Sequence, residues 1–206
     1  MKLYLVKTPK LVKKATPSLT WDITTNEKEI YLTFDDGPTP EVTPWVLQQL
    51  QKYNAKATFF CIGKNVKTNK TLYEQLLNEG HSVGNHTQNH KNGWKVNTNN
   101  YFENVHIAEE VITSNLFRPP YGKITPAITK KLLQRKYKII MWDVLSADFD
   151  STISKEECLN NVLKNTKKGS IVVFHDSVKA FKKLEFVLPK VLQHFTKIGY
   201  TFGTIT

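Results

Sequence analysis

Five times along this chain, the end of an apolar run is marked by residues able to do chemistry, and this constrains the fold more than any other feature. Ile30-Tyr31-Leu32-Thr33-Phe34 is halted by Asp35-Asp36-Gly37-Pro38, and Ile171-Val172-Val173-Phe174 runs into His175-Asp176. Asn85-His86 follows a short strand read at residues 81–84, and Arg118 and Asp148 stand in similar positions further along. Near-continuous apolar strands are buried on both faces, as in parallel sheets covered by helices. In such folds the C-terminal strand ends form the functional face. Five ends delivering polar groups to one rim predict an α/β protein whose site lies at that rim.

The intervening segments carry helical spacing. Val46, Leu47, Leu50 and Tyr53 form a stripe behind Pro40 and Pro44, and helices are expected over 71–79 and 101–114. Thr125-Pro126 opens another helix with Ile128, Leu132 and Leu133 facing inward, and two more are read at 154–165 and 187–195. Residues 57–62, 138–142 and 200–202 complete the strands. Periodicity alone leaves open whether the parallel sheet is flat or closed into a barrel.

Composition narrows the class. Of the 206 residues, 23% are charged and 40% hydrophobic, and no apolar run approaches the roughly 20 residues a membrane span needs. The net charge is +11, but Arg118 and Arg135 are the only arginines among 29 cations. The lysines are spread along the chain, and nucleic-acid readers lean on arginine for bidentate contacts, so no nucleic-acid partner is expected. The main reading is a lysine-biased composition that simply coats the surface, and generic attraction to an anionic polymer or surface is the alternative. Cys61 and Cys158 are too few for a disulfide scaffold; one bridge between them is open, but nothing local suggests it, and they read as buried free thiols. Near the start, Lys7 interrupts Leu3-Tyr4-Leu5-Val6, well short of a signal-peptide core of about 7–15 residues. As read, the chain is expected in the cytoplasm, with action outside it requiring an export route the sequence does not display.

Three constellations carry candidate chemistry. His86-Thr87-Gln88-Asn89-His90 places two imidazoles four apart, and if the segment turns helically both rings face one way and can grip a metal. The adjacent carboxylates Asp35 and Asp36 offer a third ligand and a spare base, although such a pair can also simply close a turn. Arg118-Pro119-Pro120-Tyr121-Gly122 is a stiffened segment whose guanidinium could orient a carboxylate; its plainer reading is a rigid connection. His175, tuned by a carboxylate such as Asp148, is a candidate general acid or an ordinary rim histidine. His81, His106 and His194 lie in ordinary contexts and receive no role.

In order along the chain, Thr33-Phe34-Asp35-Asp36-Gly37-Pro38, His86 to His90, Arg118 to Gly122, Asp148-Phe149 and Phe174-His175-Asp176 resemble the five motifs of the NodB-homology polysaccharide deacetylases, carbohydrate esterase family 4. The resemblance covers residues 29–202 and implies a distorted (β/α) barrel of about seven strands, similar to but smaller than a TIM barrel. It implies a deacetylase domain over 29–206, with residues 1–28 as an extension packed on the barrel. It also implies a metal-dependent hydrolase that removes N-acetyl groups from N-acetylhexosamine units of a peptidoglycan- or chitin-like glycan. Asp36, His86 and His90 would bind the divalent metal, zinc first, with cobalt, nickel or iron(II) as alternatives. Asp35 would be the general base positioned by Arg118, His175 the general acid partnered by Asp148, and the Tyr121 N–H an oxyanion donor. The family usually has tryptophan where Phe149 stands and leucine where Phe174 stands. Both replacements are large and apolar, so a reshaped acetyl-methyl pocket is expected.

Two other classes remain open at this level. Two histidines and one carboxylate also serve non-haem iron oxygenases, although the spare base and the separate acid have no evident work there. A carbohydrate-binding barrel that has lost turnover is the non-catalytic alternative, and a different N-acyl substrate is the alternative within hydrolysis. Oligomeric state is not legible.

Overall fold

The computed structural model describes residues 4–206; Lys2 and Leu3 of the basic N-terminal stretch lie outside the described residues. At the centre is β1 (Glu29–Asp35), flanked by β2 (Thr58–Cys61) and β7 (Ile171–His175). Outward from β2 lie β3 (Ser82–Asn85), β4 (Leu116–Phe117) and β5 (Lys138–Ile139), and outward from β7 lies β6 (Val144–Leu145). Every ladder is parallel, and β8 (Thr201–Phe202) pairs with the first two residues of β1.

Connectivity shows why this sheet must curl. β5 and β6 are its opposite edges, yet only residues 140–143 join them. A flat sheet of seven strands would separate those edges by roughly 29 Å, whereas such a link spans at most roughly 18 Å. The sheet therefore bends round until its edges face one another. The N-terminal segment stitches the seam: Thr20 bridges Ile140, Lys7 bridges Val144 and Asp22 bridges Ser170. Asp143, on the link, is buried and bound by Lys7, Lys13 and Ser170.

Alternation along the strands separates two buried layers. Ile30, Leu32 and Phe34 of β1 face outward into the layer under the helices, where Phe34 stacks between Phe59 and Phe174 at 5.1 and 5.9 Å. Tyr31, Thr33 and Asp35 face the barrel interior, where Tyr31 packs with Phe60, Leu116 and Ile171. The covering helices are α1 (Lys10–Ala15), α2 (Thr43–Gln51), α3 (Gly63–Thr68), α4 (Lys70–Asn78), α5 (Thr98–Glu109), α6 (Pro126–Gln134), α7 (Lys155–Asn165) and α8 (Val178–Lys197). Asn97, Thr125 and Ser154 cap α5, α6 and α7 by accepting from the N–H three residues on. Among the described residues no helix is long and apolar enough to cross a membrane. Cys61 and Cys158 are buried and unpaired.

Several elements differ from the sequence reading. The strand expected at 138–142 ends at Ile139, because the chain there crosses the seam and resumes as β6. The last helix begins at Val178, not at 187, and continues through Pro189. Before 187 it buries only Ala180 and Leu184 among lysines, which thins the apolar stripe. α3 and the two-residue β4 are too short to give a periodic signal.

Candidate active site

The site forms where β1 ends. Asp36 adopts a left-handed backbone with φ 83°, which throws its carboxylate away from that of Asp35. The turn is pinned by Asp176, fully buried after β7, which accepts from the Gly37 N–H at 3.0 Å and the Thr43 hydroxyl at 2.6 Å. A Cβ at Gly37 would stand 2.0 Å from Asp176 Oδ2, so any side chain there would have to displace the carboxylate that pins the turn.

Asp35 faces inward and meets Arg118, which is wholly buried at the end of β4. Arg118 Nη1 donates to Asp35 Oδ1 and to the Thr33 hydroxyl, each at 2.7 Å. Its Nε and Nη2 donate to the carbonyls of Ile140 and Met141 on the seam, and its guanidinium lies 4.1 Å from the Phe60 ring centre. Burial raises the Asp35 pKa, but Arg118 first, then His86 and His175, outweigh it and hold the carboxyl below its ordinary range.

His86 and His90 converge without a helix, contrary to the conditional expectation for that segment. Thr87 and His90 have φ of 63° and 53°, and the loop is held by the Asn85 side chain on Thr87 N–H and by Asn104 on the N–H groups of Gln88 and Asn89. His86 Nδ1 lies 2.7 Å from the Arg118 carbonyl, which can only accept, so Nδ1 carries the proton and Nε2 keeps its lone pair. Burial first, against the pull of Asp35, lowers the His86 pKa to about 4, leaving the imidazole neutral. His90 Nδ1 pairs with the Tyr121 hydroxyl at 3.1 Å.

The two Nε2 atoms face Asp36 Oδ1 at 3.9 and 3.3 Å. That oxygen is buried and has no hydrogen-bond partner. Ligand atoms of the three residues lie within 4.8 Å of one another. An orphaned carboxylate oxygen facing two nitrogens is unfavourable as it stands, and a divalent cation satisfies all three at once. The donor set of two imidazoles and one carboxylate suits zinc, cobalt, nickel or iron(II) and leaves coordination positions free.

The opposite wall is His175. Its Nδ1 lies 2.7 Å from Asp148 Oδ1, and its backbone N–H donates to Oδ2 at 2.8 Å, so both oxygens of the buried Asp148 are engaged. Burial opposes the charged ring, but Asp148 by charge and hydrogen bond, helped by Asp36 and Asp35, raises the His175 pKa to about 10. The ring is held as an imidazolium with Nε2–H available. Phe149 packs edge-on against it at 5.2 Å.

These groups share a cavity of about 500 Å³ lined by Asp35, Asp36, His86, His90, Tyr121, Phe149 and His175. Arg118 and Asp148 stand behind its walls and act through Asp35 and His175. Tyr121 has φ 61°, and the bonds of its turn use the N–H groups of Gly122 and Lys123, leaving that of Tyr121 aside. Phe174 is a correction. Expected to shape the acyl pocket, it is fully buried on the outer face of β7 against Phe34. Alternation turns its neighbours Val173 and His175 into the cavity instead, where Leu145 and Trp142 extend the apolar patch.

Sequence reasoning missed Tyr4, Trp142 and Asp176. Tyr4 lines the cavity, packs on Phe149 at 5.7 Å and donates to Asp150; nothing in an N-terminal segment read as an extension marks it. Trp142 lies on the seam, within the stretch that the sequence assigns to a strand. Asp176 was within a recognised motif, and its adjacency to a strand-end histidine was the available signal.

The chain matches the family model described as polysaccharide deacetylase over residues 22–140. It is 38% identical over 197 residues to a peptidoglycan-N-acetylglucosamine deacetylase of Bacillus cereus, covering 93% of this chain and 92% of that protein. It is 31% identical over 210 residues to a peptidoglycan-N-acetylglucosamine deacetylase of Listeria monocytogenes, 97% of this chain but 41% of that longer protein. Among solved structures, a peptidoglycan N-acetylglucosamine deacetylase bound to an N-hydroxybenzamide superposes with a TM-score of 0.83 at 32% identity, covering 91% of each chain.

Proposed function

This chain belongs to the polysaccharide deacetylase family, and from that premise we propose that it hydrolyses the N-acetyl group of N-acetylglucosamine units in a peptidoglycan-like glycan, using a divalent metal held by Asp36, His86 and His90. The observation that carries the reading is the convergence of those three ligands within 4.8 Å in one cavity with Asp35 and His175. A divalent ion bound there supplies Lewis-acid polarisation and acidifies water near neutral pH.

The chain's own residues divide the remaining work. Arg118 engages Asp35 Oδ1, so the other carboxylate oxygen is available to take a proton from the attacking water. Charge that develops on the amide oxygen meets the Tyr121 N–H. An amine leaves poorly unless protonated, and His175 holds an Nε2 proton for it while Asp148 stabilises and orients the ring. Trp142, Leu145 and Val173 present an apolar surface suited to the acetyl methyl group. The products are acetate and a free amino sugar.

The reading is tested by acetate release from N-acetylglucosamine oligomers and peptidoglycan fragments, with metal-stripped protein, with zinc or cobalt restored, and with Asp35→Asn. Metal-dependent acetate that disappears in the variant supports it. No acetate from protein that binds the metal tightly overturns it in favour of another acyl group or a binding role.

A further inference from the structure

A second groove, of about 690 Å³, opens beside the catalytic cavity and shares Phe149 and Lys179 with its lining. Three of its cations, Lys179, Lys182 and Lys183, fall on one face of the first turns of α8, and the fourth, Lys155, begins α7. Phe186 gives it an apolar wall, with Lys155 Nζ 4.5 Å from the ring centre. Glu185 lines the groove as well, and Asp150 acts on Lys183 but is already bound by the Tyr4 hydroxyl.

On α8 the placement works against the helix that carries it, whereas Lys155 on α7 is followed by Glu156 and Glu157. Helix N-termini have positive dipole ends that disfavour cations, and like charges three or four apart on one face repel. α8 has no acidic residue in its first turn to offset them. Nor are the three lysines of α8 held in ion pairs that tie the fold together. Among the described residues none of the four is in an ion pair, whereas Lys7 and Lys13 at the seam both are. A lysine cluster unfavourable for α8, outside any ion pair and continuous with the cavity, is complementary to an anion that arrives with the substrate.

We infer that this groove receives carboxylates carried by the substrate glycan beside the sugar being deacetylated, so that the enzyme favours an acidic chain over a neutral one of equal length. This rests on the deacetylase reading above. Exposed ion pairs are individually weak, so two or three together should tighten binding by about three- to tenfold at low salt and lose that advantage as salt screens them.

The test compares a short peptidoglycan fragment bearing free carboxylates with the same fragment after those carboxylates are converted to amides. The wild-type protein should show a KM and a calorimetric Kd about three- to tenfold lower for the carboxylate form at low salt, with little change in kcat. The Lys182→Gln/Lys183→Gln double variant should largely lose that preference. Equal affinity for both fragments in the wild-type protein, or an undiminished preference in the variant, would overturn the inference. If neither fragment releases acetate, the hydrolysis reading fails, and the calorimetric comparison still decides the groove.

Discussion

Arg118 Nη1 lies 2.7 Å from Asp35 Oδ1, and the same guanidinium reaches the carbonyls of Ile140 and Met141 on the link that joins the sheet's two edges. One fully buried side chain thus connects β4, the carboxylate of β1 and the seam of the barrel. The group that positions the candidate base also ties the barrel interior together, so stability and activity are coupled at this residue.

Arg118→Ala should therefore be costly on both counts. Removing one member of a buried pair leaves the other charged and unmatched, at about 3–5 kcal/mol. Arg118→Lys should recover part of the stability, because it keeps the charge, but little of the turnover, because an ammonium cannot match a planar fork that engages both β1 and the seam. Denaturant titration and acetate release on the two variants would check this. Equal turnover in Arg118→Lys and the wild-type protein would contradict it.

Gly37→Ala tests how Asp36 is held. The new methyl group would enter the Asp176 carboxylate, so overpacking of about 1–3 kcal/mol is expected, together with weaker metal binding as the turn carrying Asp36 shifts. Thermal unfolding of metal-free protein and zinc titration measure the two effects separately. Unchanged zinc affinity would show that the turn tolerates the displacement.

His175 gives a pH dependence of defined sign. Its pKa is about 10 in the folded protein against roughly 6.5 in an unfolded chain. The folded state therefore binds a proton that the unfolded state releases between those values. The stabilisation is complete below about pH 6.5 and is lost as pH rises through about 10. Metal-free wild-type protein should accordingly lose its stability advantage over His175→Gln across that interval. Asp148→Asn should weaken the same dependence, since Asp148 is the main group that raises the histidine. A constant advantage from pH 6 to 10 would contradict the assignment.

Much of the rim was legible because strand-end chemistry survives as short contiguous motifs. Asp35, Asp36, His86, His90, Tyr121 and His175 all face one cavity. What stayed hidden depends on tertiary closure. Tyr4 reaches the cavity only because residues 4–22 stitch a seam, and that seam exists only because β5 and β6 curl together. Phe174 was misplaced for a more local reason, since counting along β7 from His175 would have put it on the opposite face. The His86–His90 pair met by a route the spacing did not indicate, two left-handed residues in place of a helical turn.

The roles of the two histidine groups separate most sharply through metal content. His86 has its Nδ1 committed to a backbone carbonyl and its Nε2 aimed at the buried, unpartnered Asp36 oxygen, so its only free function is ligation. His175 has its Nδ1 committed to Asp148 and belongs to no cluster of three ligands among the described residues. His86→Ala should lower zinc affinity at least about tenfold, in line with the loss of a ligand or its support, and abolish turnover with it. His175→Ala should bind zinc as the wild-type protein does while losing about 10²- to 10⁴-fold in kcat, the usual worth of a positioned acid. Zinc content after dialysis and acetate release on the same preparations decide the matter. Equal loss of zinc in both variants would show that His175 belongs to the metal site, and the amine would then need another proton donor.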